Sequence, residues 1–522
     1  MKKSNPVFII SLALCVIVAV WAIALPGSFA AMASVAFSVC TVDFGWLYNI
    51  AMFSFVIFVI FLAVSKFGKI KLGPDDSIPE YSNVSWFAML FGCGMGVGLV
   101  FWGVAQPISY LLGPVAGQEP GSIETAAWAM RACFMDWGFS PWANYAVIGV
   151  ALAYFQFRRN KPALISTILE PLIGEKRAKG GLGKLVDILA IFATIAGVVT
   201  SLGLGVMQIN SGLNFIAGVP VNIIIEAIII VVVTIIVIWS AVSGIDKGIK
   251  LISDANLYIA IAVLILAFII GPKLDIMNNF TTGFGAYLQN FVADSLFENT
   301  YGDNSWSAGW RIFYWAWFIA WAPFVGVFIA RISKGRTVRE FVAGVVIVPA
   351  VASIIWFSVF GSMGLSAFNN GLLDLSALEA IAASPETGLF TVFSMYPLGI
   401  VVSVIIIVLV FTFFITSANS GTFVLGMLSS FGNLNPSSSV KILWGFVQAI
   451  MAIGLMVAGG LKPVQTVSIV AAFPFIFVMF AAMAAIVKAF SNDPAVNPDA
   501  DPIEIVEEEA VEAVAEEAVA TE

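Results

Sequence analysis

The chain has 522 residues, of which 60% are hydrophobic and only 11% are charged, and its mean hydropathy is +1.00. Soluble domains carry about a quarter charged residues, so this composition excludes a soluble protein and predicts an all-α integral membrane protein that crosses the bilayer many times. Four cysteines without paired spacing exclude a disulfide framework, and the absence of histidine excludes imidazole chemistry.

About twelve apolar stretches have the ~20 residues that a membrane-spanning helix needs. They lie at 8–25, 46–65, 84–112, 140–157, 185–216, 221–243, 251–271, 309–330, 340–364, 390–428, 440–459 and 465–488. The first stretch lacks a cleavage signal and is predicted to be retained. Three stretches, 84–112, 185–216 and 390–428, exceed one bilayer thickness, which predicts tilted, kinked or unwound helices.

The loop charges predict the orientation. Basic residues fall at the N-terminus and after spans 2, 4, 6 and 8, whereas the loops at 273–308 and 365–389 are mostly acidic. By the positive-inside rule, both termini are predicted to be cytoplasmic and 273–308 to be extracellular.

The C-terminal segment differs in composition from the rest of the chain. Residues 493–522 contain eleven acidic residues and no basic one, and removing them changes the formal charge from −8 to about +3. Residues 491–522 are therefore predicted to form a solvated acidic cytoplasmic tail, with a partner-binding role as the alternative.

Span 3 contains glycines at alternate positions, Gly92, Gly94, Gly96 and Gly98. Small residues at this spacing can serve close helix packing alone. Alternating glycines also weaken a helix, and transporters use broken helices to present backbone groups to ions and substrate. The glycines favour an unwound segment.

Span 8 carries an aromatic stripe, because Tyr314, Trp317, Phe318 and Trp321 follow the i, i+3, i+4, i+7 spacing of one helix face. Such rings can face lipid or form an interface belt, but the tryptophans recur over two turns. Aromatic faces attract a cation that cannot donate hydrogen bonds, such as a quaternary ammonium, by roughly 0.5 to 2 kcal/mol per ring.

In span 4, Trp142 and Tyr145 are three residues apart and could supply the other wall of an aromatic cage. Anchoring at the membrane interface is the equal alternative for these two rings.

Span 10 contains adjacent hydroxyls at Thr416 and Ser417. Hydroxyls in a membrane helix usually bond their own backbone, but they also offer neutral oxygens that a sodium ion accepts. The chain has no nucleotide-binding P-loop, zinc signature or Ser/His pair, so nothing in the sequence supports an ATP-driven pump or an intramembrane hydrolase. The protein is therefore not expected to be an enzyme.

Several motifs in the same order resemble the betaine/carnitine/choline transporter family. They lie at 94–99, 101–103 with Pro107, 137–138, 151–155, 200–205, 314–324, 328–341 and 459–466. The resemblance implies two extra helices (1–83) and two inverted five-helix repeats of the leucine-transporter-like fold (84–272 and 309–490), usually in a homotrimer. It also implies alternating access, with the substrate held between the repeats.

The resemblance also implies site residues, carried over position by position. The cage would consist of Trp142, Tyr145, Trp317, Phe318 and Trp321, with Trp137 on the access path. The substrate carboxylate would meet backbone N–H groups of Gly94, Met95, Gly96 and Gly98. A sodium site would use the carbonyls of Gly92, Met95 and Phe413 with the hydroxyls of Thr416 and Ser417, and Thr194 would belong to a second sodium site.

Family members with other coupling modes differ from this chain at the predicted substrate- and ion-binding positions. Sodium-independent carnitine exchangers resemble this chain but lose the Gly-Met-Gly pattern and the Thr-Ser pair, and proton-coupled choline members typically carry Asp where Gly98 stands. Four positions depart from the family pattern. Phe318 stands where Trp is usual and offers a weaker cation-π face, and Ala320, Gln106 and Val198 stand where Ser, Glu and a sodium-ligating residue are usual. The acidic tail is unlike the basic C-terminal helix of osmosensing members, which predicts no osmotic activation of that kind.

These observations predict a sodium symporter for a betaine-like quaternary ammonium or sulfonium zwitterion in the cell membrane. The alternatives are a sodium-independent exchanger of carnitine type and a membrane sensor that binds the same ligand without transporting it. Sodium is the expected coupling ion and no cofactor is expected. The expected partners are a small zwitterion, the lipid bilayer and further copies in a homotrimer, with no nucleic acid. Glycine betaine, carnitine, choline and dimethylsulfoniopropionate all remain candidate substrates.

Overall fold

The computed structural model describes residues 5–94, 96–243 and 246–500. Within these ranges the regular structure is helical. The α-helices are α1 (Pro6–Ala24), α2 (Pro26–Ser38), α3 (Gly45–Val64), α4 (Asn83–Gly94), α5 (Val97–Leu112), α6 (Ile123–Trp137), α7 (Phe139–Ala153), α8 (Ile165–Ile168), α9 (Glu170–Ile173), α10 (Glu175–Ala178), α11 (Gly181–Ala217), α12 (Ile223–Ser243), α13 (Asp246–Ile270), α14 (Lys273–Ser295), α15 (Ile312–Arg331), α16 (Val338–Asn369), α17 (Leu375–Ala383), α18 (Gly388–Ser394), α19 (Gly399–Leu428), α20 (Ser438–Val457) and α21 (Leu461–Ser491).

Ten helices in the described ranges are long and apolar enough to cross a membrane, so the chain is a multi-pass membrane protein. The sequence predicts about twelve spans, and the difference lies in two of them. The stretch 84–112 is divided into α4 and α5, and the stretch 140–157 consists of α7 followed by a π-helical turn at Tyr154–Arg158. The first stretch thus consists of two short helices, whereas in the second α7 continues directly into the π-helical turn; neither stretch is among the ten.

Burial shows which helices lie at the centre. The apolar windows of α15 and α11 are 89% and 83% buried, whereas those of α1 and α13 are 28% and 22% buried. Because lipid is as apolar as these side chains, the exposed apolar faces of α1 and α13 fit a lipid-facing position. The helices α7, α11 and α21 all pack against α15.

The glycine-rich part of span 3 interrupts its helix, as the sequence predicts. Helix α4 ends at Gly94 and α5 begins at Val97, with Gly96 in an extended conformation at φ −137° and ψ −177°. Met95 lies outside the described residues. Of the other two long stretches, 390–428 is also divided, because α18 ends at Ser394 and α19 begins at Gly399 after Leu398 in the left-handed conformation. The stretch 185–216 lies within one uninterrupted helix, α11.

The uninterrupted helices α11 and α19 form a close antiparallel pair. A Cβ placed on Gly212 would lie 2.6 Å from Ile407, and one placed on Gly421 would lie 3.0 Å from Val198. Glycine at these positions lets the two backbones approach, as small residues do in membrane helix pairs. In α11 and α19, therefore, glycine serves packing rather than unwinding.

Helix α14 occupies most of the segment predicted as an extracellular loop, 273–308. Its Tyr287 hydroxyl accepts a hydrogen bond of 2.9 Å from the N–H of Phe139, in the first turn of α7, where backbone donors lack partners within the helix. A Cβ on Gly138 would lie 2.5 Å from the same hydroxyl. Tyr287 therefore fixes the corner between α6 and α7.

One residue at the start of the C-terminal tail is buried rather than solvated. Asp493 is fully buried, and its two carboxylate oxygens accept hydrogen bonds of 2.7 Å from Nε and Nη2 of Arg158. Arg158 also donates to the Gly73 carbonyl and to Asp75, both at 2.8 Å. The prediction of a solvated tail is therefore wrong for Asp493, because a buried guanidinium requires a charged partner. Residues 501–522 lie outside the described residues.

Candidate functional site

Helices α7 and α15 form the frame of the candidate site, and glycines bring them together. A Cβ on Gly149 or on Gly326 would lie 2.6 Å from the isoleucine opposite, Ile329 or Ile148. Asn144 of α7 donates a hydrogen bond of 2.8 Å from Nδ2 to the Phe318 carbonyl on α15. The two helices therefore hold a fixed register at the level of Phe318.

Five predicted rings form one cluster between α6, α7 and α15. Trp137 lies 5.5 Å from Phe318 and 6.1 Å from Trp317, while Tyr145 lies 6.2 Å from Phe318 and 5.4 Å from Trp142, measured between ring centroids. All four contacts are edge to face, and the rings are only 4% to 7% exposed. In each of these contacts the positive edge of one ring lies against the negative face of another. A methylated cation is attracted to a ring face for the same electrostatic reason.

Trp321 lies apart from this cluster. It is half-buried, its ring packs edge to face on Phe324 at 5.1 Å, and Gly197 of α11 approaches it so closely that a Cβ there would clash with the indole. Trp317 donates from Nε1 to the Gly197 carbonyl at 3.4 Å. The structure therefore places Trp321 on the α11 side of α15, one turn beyond the ring cluster.

The helix interruption opens onto the same cluster. A Cβ on Gly98 would clash with the Trp317 ring and lie 3.2 Å from the Trp137 ring. The first N–H groups of a helix lack intrahelical partners and carry positive potential, which suits a carboxylate. The start of α5 thus sits beside the Trp317 and Trp137 rings at Gly98, whereas the predicted contribution of Met95 lies outside the described residues.

A buried hydrogen-bond network supports the ring cluster from behind. The Gln106 amide oxygen accepts hydrogen bonds of 2.9 Å from the Trp137 indole and from the Tyr314 hydroxyl, and its Nε2 donates to Asp136 at 2.8 Å. Asp136 in turn pairs with Arg311 at 2.9 Å. Sequence reasoning identifies Gln106 only as a departure from the family pattern and misses Asp136 and Arg311. The signal that could have identified Asp136 and Arg311 in the sequence is that they are ionisable residues next to apolar stretches.

The part of α19 that carries the predicted sodium ligands approaches the start of α5 across Gly205 of α11. A Cβ on Gly205 would lie 3.2 Å from Val97 at the start of α5 and 3.8 Å from Phe414, the neighbour of the predicted ligand Phe413. The Thr416 hydroxyl donates to the carbonyls of Thr412 and Phe413 at 3.1 Å. Its oxygen keeps acceptor capacity in this arrangement, so the Thr416 hydroxyl could still act as a ligand. Gly92, another described residue of the predicted set, lies in the last turn of α4.

The second predicted sodium site fits less well. The Thr194 hydroxyl is fully buried and has no hydrogen-bond partner among the residues that the structure describes. One turn later, Val198 turns its methyl groups toward Gly421, and a methyl group cannot ligate an ion. Thr194 alone does not make a site.

Comparison with known proteins gives consistent matches along the chain. The model of the betaine/carnitine/choline family of transporters matches residues 6–495. The chain is 45% identical to a probable glycine betaine transporter of Desulfitobacterium hafniense, covering 94% of this chain and 98% of that protein. It is 43% identical to the glycine betaine transporter OpuD of Bacillus subtilis, covering 94% and 96%. It is 41% identical to the ectoine/hydroxyectoine transporter of Virgibacillus pantothenticus, covering 94% and 98%.

Proposed function

Because the chain belongs to the betaine/carnitine/choline family of transporters, we propose that it takes up a betaine-like zwitterion by sodium symport with alternating access. Membership in this family shows that the protein is a transporter and not an enzyme. The ring cluster that meets the start of α5 carries the proposal for the substrate, since Gly98 lies against both Trp317 and Trp137. A zwitterion has a methylated cation for the rings and a carboxylate for the helix N-terminus.

The sodium part of the proposal is supported by the geometry around Gly205. Val97, at the start of α5, and Phe414, next to the predicted ligand Phe413 on α19, both lie against this glycine. Neutral backbone and hydroxyl oxygens are what a broken transporter helix presents to a coupling ion. Bound there, sodium supplies positive charge close to the interruption, and Thr416, Ser417 and the Phe413 carbonyl would hold it together with carbonyls of Gly92 and Met95.

Uptake into proteoliposomes tests the proposal and separates it from its alternatives. The panel is glycine betaine, carnitine, choline, dimethylsulfoniopropionate and ectoine, the last because a relative at 41% identity is named an ectoine/hydroxyectoine transporter. Accumulation driven by an inward sodium gradient alone supports symport. Accumulation only after preloading with substrate indicates an exchanger, and binding without accumulation indicates a sensor.

The wider architecture is proposed on the same basis. We expect inverted repeats at 84–272 and 309–490, cytoplasmic termini and a homotrimer. Fusion of a reporter to each end, with cross-linking in intact membranes, tests the orientation and the oligomeric state.

We propose Trp321, one turn beyond the ring cluster, as the wall of the cage on the α11 side, so replacing it by alanine is expected to weaken substrate binding by roughly 1 to 2 kcal/mol, because one cation-π face is lost. The measurement is the dissociation constant in detergent or nanodiscs. Trp46→Ala is the matched control, since Trp46 is an exposed tryptophan on α3 at 50% exposure. Equal affinity of Trp321→Ala and wild type would remove Trp321 from the site.

Replacing Gly98 by alanine is expected to weaken substrate binding by about 1 to 3 kcal/mol, the usual range for overpacking. The new Cβ would displace the Trp317 ring, while alanine itself favours the helix. Gly285→Ala is the control, because a Cβ there meets no atom within 4 Å. If Gly98→Ala binds substrate as wild type does, the start of α5 does not border the site.

A further inference from the structure

We propose that Gln106 is a positioning residue for substrate binding, because its amide fixes the Trp137 indole and the Tyr314 hydroxyl relative to the buried Asp136–Arg311 pair. This inference rests on the proposed function and adds a residue that touches no substrate itself. Gln106 is fully buried in α5, two turns after Gly98, and it connects the wall of the ring cluster to a fixed charge pair.

The chemistry of its partners dictates the orientation of the amide. An indole N–H can only donate and an ionised carboxylate can only accept. The amide oxygen must therefore face Trp137, where the N–O distance is 2.9 Å, and the amide nitrogen must face Asp136, where it is 2.8 Å. A side chain at this position has to accept on one side and donate on the other.

The second bond on each side strengthens the same arrangement. The Tyr314 hydroxyl donates to the amide oxygen at 2.9 Å, and Nε2 also donates to the Tyr110 hydroxyl at 2.9 Å. The Tyr110 hydroxyl in turn donates to Asp136 at 2.7 Å. The amide of Gln106 thus makes two bonds through its oxygen and two through its nitrogen, and rotating it would break every one of them.

The charge pair behind Gln106 is itself held in place. The Arg311 guanidinium lies between the rings of Trp306 and Trp315, at 5.5 Å and 5.4 Å, and donates to the Asp294 carbonyl at 3.0 Å. Asp136 cannot move without leaving a buried charge unpaired, which is costly. The rigid pair therefore gives Gln106 a fixed reference point from which it sets the angle of the Trp137 ring against Phe318, 5.5 Å away.

Glutamate is the informative substitution. In Gln106→Glu, the protonated carboxyl has an acceptor oxygen for Trp137 and Tyr314 and one O–H donor for Asp136, so it loses only the second donation, to Tyr110. The ionised carboxylate cannot donate to Asp136 and adds a second negative charge beside it. Deprotonation occurs as the pH rises, so the variant should bind well in acid and poorly in alkali. The titratable or charged groups around this position are Asp136, Cys133, Tyr110, Tyr314, Arg311 and Asp294.

The experiment measures the dissociation constant and the transport rate of wild type, Gln106→Leu, Gln106→Glu and Tyr110→Phe in nanodiscs and proteoliposomes, from roughly pH 5.5 to 8.5. The probe is glycine betaine, or the panel member that wild type accumulates. Tyr110→Phe is the matched control, because it removes a hydroxyl from the same network without touching the bonds to Trp137 and Tyr314. The amount of folded protein is measured by size-exclusion chromatography.

We expect Gln106→Leu to raise the dissociation constant about tenfold, as for the loss of one or two buried hydrogen bonds, with the maximal rate per folded transporter unchanged. Gln106→Glu should bind nearly as well as wild type at the acid end and weaken as the pH rises, relative to wild type and Tyr110→Phe. Should Gln106→Leu fail to fold, the pH profile of Gln106→Glu decides alone.

Equal affinity of Gln106→Glu and wild type at every pH would overturn the inference, as would an equal loss in Tyr110→Phe. Failure of wild type to bind or accumulate any panel member would instead refute the proposed function, and this inference with it.

Discussion

Replacing Asp493 by alanine is expected to lower the free energy of unfolding by about 3 to 5 kcal/mol, the range for breaking a buried ion pair from one side. The side chains of Asp493 and Arg158 are both 0% exposed. The variant would leave the guanidinium buried with Asp75, which is 69% exposed, as its charged partner in the described part of the chain. The measurement is unfolding in detergent or in increasing dodecyl sulfate.

Two controls isolate this effect. Asp499→Ala removes the same charge from an exposed position of the same segment, and Asp75→Ala removes the exposed partner of the same arginine; both should cost less than about 1 kcal/mol. A loss of similar size in Asp499→Ala would mean that net charge, and not the buried pair, stabilises the fold.

The buried Asp493–Arg158 pair also makes the stability of the protein depend on pH. Burial alone would raise the pKa of Asp493, but the hydrogen bonds from Arg158 and from the Ala495 N–H bring it below its ordinary value. A depressed carboxyl pKa contributes stability that is complete at neutral pH and is lost as the pH falls below about 4. The free energy of unfolding of wild type should therefore fall in this acid range, and that of Asp493→Asn should fall less. Identical dependence of the two on pH would contradict the role of the Asp493 carboxylate.

Replacing Thr416 by valine together with Ser417 by alanine is expected to abolish sodium stimulation of uptake while leaving expression intact. Both hydroxyls belong to the proposed ion site, and a methyl group in their place cannot ligate sodium. Thr416 donates only to carbonyls of its own helix in the described structure, so its removal should not disturb contacts between helices. The measurement is the initial uptake rate as a function of sodium concentration.

Thr412→Val is the matched control, because Thr412 lies one turn earlier on α19 and its hydroxyl also bonds carbonyls of its own helix, at 2.8 Å and 3.0 Å. This variant should keep the sodium dependence of wild type. Sodium-stimulated uptake that persists in the double variant would exclude the ion site at Thr416 and Ser417.

The sequence predicts those features that follow from local chemistry. Alternating glycines predict the interruption after Gly94, because backbone freedom is a property of the residues themselves. Helical spacing predicts that Trp317 and Phe318 share a face with Tyr314, and the three rings do lie within 6.3 Å of one another. Hydrophobicity predicts the multi-pass helical class, although the span count depends on where helices are interrupted.

Features that arise only in three dimensions were not predictable. Asp493 precedes a run of acidic residues and resembles the start of a solvated tail until Arg158, 335 positions away, is placed beside it. Tyr287 lies in a segment of mixed composition, and its role at the start of α7 depends on a contact across 148 positions. Trp321 has the spacing of the stripe, but its neighbours are set by α11, whose approach at Gly197 no local pattern encodes.

Two glycines of α11 bring this helix against both proposed sites. Gly197 meets Trp321, and Gly205, eight residues further and about 12 Å along the same rigid helix, meets Val97 and Phe414. One helix thus borders both the proposed substrate site and the proposed ion site, so a tilt of α11 alters the two together. Linkage then requires reciprocity: the factor by which sodium raises the affinity for substrate equals the factor by which substrate raises the affinity for sodium, and measuring either one fixes the other.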